Sequence, residues 1–284
     1  MKSILGTVIL LTGCAQVLGL DKTTLGDTDA ATDAPSVCDG EPAACVSSTG
    51  RSACGQVFAT GGAPLRVAAP TGEACVAGNV EGPCALQVAG LPAQALFDGV
   101  ATGEVAGSID DCGRFVVPDL DSAAIDVAVT FKAISGFHPS ARLVLNRPAE
   151  IGEDRGLAAF AVLQATTVEW AAQLALPADN TTSGFLVRYT STNQTPVVGE
   201  AVAVDSGSPL TSPPGTIPWA AYFGAEPFGT LDPTVMVTGA SGTAFAGMPA
   251  GPFSLEGFRP GRRCKLENLR SVGNLLIHVV EEGC

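Results

Sequence analysis

Nine cysteines, Cys14, Cys38, Cys45, Cys54, Cys75, Cys84, Cys112, Cys264 and Cys284, constrain what this 284-residue chain can fold into more than any other feature. An odd number cannot be fully paired in a secreted chain, so one thiol needs a different role. No two of them form a C-x-x-C pair and the chain has only 2 histidines, which makes a zinc cluster a poor rival to disulfides. Setting Cys14 aside leaves an even set that can close four bridges in an oxidising compartment. No metal and no cofactor is expected.

The residues around Cys14 supply its role. Lys2 is followed by a short apolar run, Ile4 to Leu11, too short to span a bilayer as a mature helix. It leads into Leu11-Thr12-Gly13-Cys14, which resembles a bacterial lipobox, with small residues before the acylated cysteine. The rival is an ordinary secretory signal with a chance cysteine. The lipobox resemblance implies a signal peptide over 1–13, palmitate on Cys14 and a membrane link made by lipid. Ala15 follows where an inner-membrane retention signal would carry Asp. In a Gram-negative host the expected location is therefore the outer membrane, facing periplasm or exterior. Residues 14–37 read as a tether, because Gly26 to Pro35 is acidic and carries no large apolar side chain to bury.

Beyond the tether, hydrophobic residues make up 46% and charged ones 15%, punctuated by 34 Gly and 20 Pro, which suits short strands and many turns. Ile125 to Phe131, Phe185 to Tyr189 and Phe253 to Glu256 alternate apolar with small or polar residues, as half-buried strands do. Val197 to Val204 is small and β-branched, and Leu275 to Val280 is apolar on both faces. Thr166 to Leu174 instead reads as a helix. Thr166 and Glu169 stand at capping-box spacing, Trp170 and Leu174 share a face, and Pro177 follows. The expected fold is mainly β, with two β-sandwich domains in tandem joined by a short helix. The first spans 38–148 and is rich in disulfides, the linker with its helix spans 149–180, and the second spans 181–284. A net charge of −13 argues against nucleic acid as a partner.

The two halves share features. Cys54-Gly55-Gln56-Val57, Gly62-Ala63-Pro64-Leu65 and Asp110-Asp111-Cys112-Gly113-Arg114-Phe115 in the first are echoed by Ser183-Gly184-Phe185, Thr195-Pro196-Val197-Val198-Gly199 and Ser241-Gly242-Thr243-Ala244-Phe245 in the second. The pairs Gly55/Gly113 and Gly184/Gly242 are equally spaced. This pattern resembles the carboxypeptidase regulatory-like, or transthyretin-like, β-sandwich domain, best over 184–258 and less closely over 54–131. The whole layout is similar to that of myxobacterial-type lipoproteins. The first half departs from the pattern at Asp119-Leu120-Asp121-Ser122 and carries a cysteine-bearing insert from Ala68 to Glu104. The resemblance implies an accessory role and brings no catalytic residues.

Chemistry-bearing residues are few. His138 lies in a loop-like Gly136-Phe137-His138-Pro139 context and reads as a surface histidine, while His278 alternates with Leu276 and Val280 as a structural one. No nucleophile elbow, P-loop or His-Glu-x-x-His motif occurs. Asp110, Asp111, Asp119, Asp121 and Asp126 could converge on calcium or form a solvated acidic edge. Trp219, Tyr222 and Phe223 are the candidate ligand-binding residues, as flat rings for a sugar, against the plainer reading that they are core. On a strand Trp219 and Phe223 should point inward and Tyr222 outward. Cys264 and Cys284 are expected to pair, closing a loop of about 20 residues worth roughly 3 kcal/mol; the partners of the other six stay open. The expected function is a lipid-anchored, non-catalytic envelope protein for display, adhesion or structure, with an envelope protein or a glycan as partner. A carbohydrate- or peptide-binding module is the alternative, and an envelope hydrolase ranks below both.

Overall fold

A computed structural model describes residues 37–39, 45, 51–76, 81–145, 153–181, 183–191, 193–205, 207–210, 217–259 and 262–282. The signal peptide, Cys14, nearly all of the tether and Cys284 lie outside the described residues.

The first half contributes β1 (Arg51–Ala59), β2 (Leu86–Pro92), α1 (Ala93–Phe97), β3 (Val105–Ala106), β4 (Ser108–Ile109), β5 (Arg114–Leu120), β6 (Val127–Ala133), β7 (Ser140–Val144) and β8 (Glu153–Ala161). After α2 (Gln164–Gln173) come β9 (Gly184–Thr190), β10 (Ala201–Val204), β11 (Trp219–Phe223) and β12 (Leu231–Asp232). The last are β13 (Thr243–Gly247), β14 (Phe253–Arg259), β15 (Arg262–Leu269) and β16 (Leu276–Glu282). The protein is mainly β and sandwich-like. The run expected from Val197 yields a strand only from Ala201, because Gly199 adopts φ +85° and breaks the extended backbone.

Strand order shows the same motif twice. In the first half β4-β5-β1-β8 form one sheet, and β2, β6 and β7 pair in order opposite it. In the second, β11-β13-β9-β16 are neighbours, and β10-β14-β15 form the sheet opposite. The equivalence extends to direction: β1 is antiparallel to β5 and parallel to β8, as β9 is antiparallel to β13 and parallel to β16. Its turns match as well. Gly113 (φ +76°) and Gly242 (φ +64°) both take left-handed backbone that favours glycine. Their carbonyls accept from Val57 N–H and Tyr189 N–H at 2.9 and 2.8 Å. The opening glycines are not equivalent, however. Gly55 pairs with Phe115, whereas the residue in its place on β9 is Val187, paired with Ala244. Gly55 answers a local need: a Cβ there would lie 1.9 Å from the Leu157 carbonyl oxygen of β8.

The two motifs share a sheet. β16 runs parallel to β9 on one side and to β7 on the other, with Leu276 in register with both Gly184 and Ser140. The result is one nine-stranded sheet, β12-β11-β13-β9-β16-β7-β6-β2-β3. Strand alternation then serves both faces. Val127, Val129 and Phe131 point into a core with Val57, Phe115, Val117 and Leu157 of the four-stranded sheet. Ala128, Phe185, Val187, Tyr222 and Ile277 point the other way, against Val202, Leu255 and Leu266. β8, which closes the first motif, falls within the stretch expected to be linker. A buried ion pair fastens it to β1: Arg51 Nε donates to Asp154 at 2.7 Å.

α2 starts earlier than the capping-box spacing predicts. Its N-cap is Leu163, which makes no side-chain cap bond, so Thr166 lies within the first turn. Contacts from the preceding loop set the start instead: Gln164 N–H donates to Gly136 O and its side-chain amide to Phe137 O. Trp170 and Leu174 do share the buried face, packing with Trp219, Phe223 and Phe245 of the nine-stranded sheet.

Candidate functional site

The cysteines gather where the described chain begins. Cys38 pairs with Cys112, Cys45 with Cys54, and Cys75 with Cys84, with Cα–Cα distances of 5.4, 5.8 and 5.2 Å. Cys264, on β15, is disulfide-bonded too. Its expected partner Cys284 lies outside the described residues. Cys38–Cys112 ties the first described residues to the β4–β5 turn. The turn is built by its own carboxylates. Asp110 Oδ1 accepts from the N–H of Cys112 and Arg114, and Asp110 Oδ2 receives Arg114 Nε at 2.7 Å. The same guanidinium reaches the Val37 carbonyl at 3.3 Å, so Val37 and Cys38 are held by charge and by covalent bond.

Two more of the five aspartates are engaged in hydrogen bonds as well. Asp111 is spent on Thr71 and Gly72, whose N–H groups donate at 2.7 and 2.8 Å, and Asp121 accepts from Ala123 N–H. Slight desolvation would raise the pKa of Asp111, but the Thr71 and Gly72 bonds and Arg114 hold it below the ordinary carboxylate value. Asp110 and Asp121 each accept from N–H groups of their own turns, and Asp111 ties its turn to the Thr71–Gly72 backbone.

The aromatic candidates form no surface. Trp219, Tyr222 and Phe223 are 2%, 0% and 0% exposed. Trp219 and Phe223 do share a face, but it is the one roofed by α2: Trp170 meets Phe223 at 5.3 Å, and Trp219 meets Phe245 edge-on at 5.1 Å. Tyr222, expected nearer the surface, lies between the sheets, where its hydroxyl accepts from Val202 N–H at 2.9 Å. The sheet is covered on both sides, so β11 offers no wet face to Tyr222.

Both histidines are buried as well, correcting the expected surface position of His138. Its N–H donates to Val162 O at 2.7 Å, and burial lowers its pKa against a contact to Pro139 O. His278 stands between Phe160 and Phe228, with ring centroids at 5.2 and 5.5 Å. Burial, then the charges of Arg142 and Arg188, push its pKa well below the ordinary value, so it is neutral at physiological pH.

On the other face of the same strand lies a buried acidic group. Glu281, Glu200 and Glu256 are at most 2% exposed, and Gly257 N–H donates to Glu281 at 3.1 Å. Burial pushes the Glu281 pKa up to about 8; the Gly257 bond opposes this, and Glu200 and Glu256 reinforce it. Burial also drives Tyr189 well above its ordinary value, helped by Glu281, Tyr222 and Glu200.

One cavity with polar chemistry was not foreseen from sequence. It lies where β8 crosses above β7, β16 and β9, and Arg142, Arg155, Arg188, Thr190 and Gln194 line it. Arg142 is in register with His278, and Arg188 with Val280, so both side chains rise on the face toward β8. Arg142 is fixed there by bonds to the carbonyls of Ala158 and Leu143. Arg155 and Gly156 sit at a register shift in the β1–β8 ladder, with Gly156 at φ +64°, a bulge of the kind that re-aims a side chain.

No protein-family model and no curated protein matches the chain. Among solved structures, the Bacillus anthracis TIE protein aligns over 82% of this chain and 33% of its own, at 10% identity and TM-score 0.21. A streptococcal ancillary pilin covers 83% and 69%, at 10% identity and TM-score 0.21. The shaft pilin SpaA of Lactobacillus rhamnosus GG covers 82% and 98%, at 9% identity and TM-score 0.21. The chain thus spans about a third of the TIE protein. Likenesses this slight say nothing of what the chain binds or does. Among the described residues no helix is long and apolar enough to cross a membrane.

Proposed function

We propose that this is a lipid-anchored envelope protein whose β-sandwiches are displayed from the membrane on an acidic tether, in a non-catalytic structural or adhesive role. The supporting observation is the Cys38–Cys112 bond. It is the first cysteine after the tether, and it joins a turn 74 residues further along the chain. A pull on the tether is passed to the β4–β5 turn through a covalent bond, with Arg114 backing it at Val37. The oxidised cysteines fit an oxidising compartment. Both histidines are enclosed, His278 by aromatic rings, which removes the commonest general base from the surface and favours a non-catalytic reading. The carboxypeptidase regulatory-like resemblance agrees with an accessory role.

Metabolic labelling tests the anchor. The wild-type chain should incorporate labelled palmitate and partition with membranes, and Cys14→Ser should do neither. Equal labelling of the variant, or a wild-type chain that fractionates unlabelled, would remove the anchor and the display reading with it.

A further inference from the structure

We infer that the cavity under β8 is a binding site for a single tetrahedral oxyanion, a phosphate or sulfate group. Three guanidiniums line it, in a chain whose net charge is −13. No carboxylate lines it among the described residues. Arg188 is half-buried, and an anion beside a desolvated guanidinium offsets the loss of its hydration. Two donors are waiting. Thr190 is 3% exposed, and its hydroxyl is buried with no hydrogen-bond partner. The Arg188 Nε–H is likewise buried and unpartnered, and burial lowers that guanidinium's pKa. Buried polar groups are nearly always satisfied, so two orphaned donors in one cationic pocket point to a missing acceptor.

Shape narrows the ligand. The cavity holds about 100 Å³, room for one oxyanion group and not for a sugar ring or a nucleotide. Its donors arrive from β7, β8 and β9, from different directions, which suits oxygens arranged around a centre better than a flat carboxylate. Arg142 is already held by backbone carbonyls and the Arg155 bulge is part of the β1–β8 ladder, so the pocket is largely formed before any anion enters. Nothing here depends on lipid anchoring.

Calorimetry and thermal melting of the disulfide-intact chain test it, using inorganic phosphate, sulfate, glycerol phosphate and acetate against chloride at equal ionic strength. Phosphate or sulfate should bind saturably and raise the melting temperature beyond chloride, with acetate weaker. Arg188→Gln should weaken binding by about tenfold or more. Thr190→Val, which fills the same volume and keeps the strand, should also weaken it and serves if the first variant fails to fold. Binding of glycerol phosphate would assign the site to a phosphate carried on a larger molecule, and its exclusion would assign it to the free ion; both support the site. No saturable binding up to about 10 mM phosphate or sulfate, or binding unchanged in Thr190→Val, would overturn it.

Discussion

Gly113 and Gly242 occupy the same turn in the two halves of the molecule, each in left-handed backbone and each accepting from the strand that opens its own motif. At Gly113 a Cβ would lie 2.1 Å from the Leu65 carbonyl oxygen, and at Gly242 it would lie 2.8 Å from Tyr189 O. Gly199 has a similar φ of +85° and nothing within 4 Å. Gly199→Ala should therefore cost only the backbone penalty, about 1 kcal/mol, and Gly113→Ala roughly 2–4 kcal/mol. Urea unfolding of the two variants checks the order; equal losses would mean that the close approach at Leu65 is not maintained.

Tyr222 gives a second test. Tyr222→Phe keeps the ring and strips the acceptor from the buried Val202 N–H, so it should cost about 1–3 kcal/mol. Trp219→Ala, under α2, should cost about 3–5 kcal/mol. A platform that bound sugars from solvent would tolerate both changes far better.

The Cys38–Cys112 bridge spans 74 residues, and the chain-entropy model makes such a loop worth about 4 kcal/mol. The double Cys38→Ser, Cys112→Ser variant should melt lower by that order while keeping its far-ultraviolet spectrum. It should also release residues before β1 to limited proteolysis. Unchanged protease resistance would mean that Arg114 alone secures Val37.

Glu281 sets a pH dependence. Its folded pKa is raised to about 8 from an ordinary 4.5, so folding takes up a proton. The associated stability is complete below about pH 4.5 and is lost as pH rises through 8. His278 works in the opposite direction. Its lowered pKa costs stability as pH falls below its ordinary 6.5. Glu281→Gln should raise the melting temperature near pH 8 relative to wild type, with little change near pH 5. Parallel wild-type and variant profiles would mean that Glu281 does not set the pH dependence.

How much of this was legible in the sequence follows from the range of each interaction. Alternation marked the strands around Phe185 and Phe253, and the Gly113/Gly242 echo located a repeat that the topology reproduces. Gly55 misled, because its smallness answers to Leu157 on a strand that the local pattern did not reveal. That strand, β8, carries Arg155-Gly156 and small residues, and it is extended only because β1 pairs with it. Tyr222 misled for a related reason: period two tells which residues share a face, not whether the opposite face is wet. The arginine pocket left no local trace at all, since Arg142, Arg155 and Arg188 sit on three strands and meet only through the crossing of β8.

The parallel seam between β7 and β16 carries a cost in time. β7 is made long before β16, and until β16 arrives β7 shows an unpaired edge and the nine-stranded sheet is split in two. Such an edge invites pairing with other chains. Folding of the first motif alone would therefore leave a sticky intermediate, and the molecule's last strand acts as its lock.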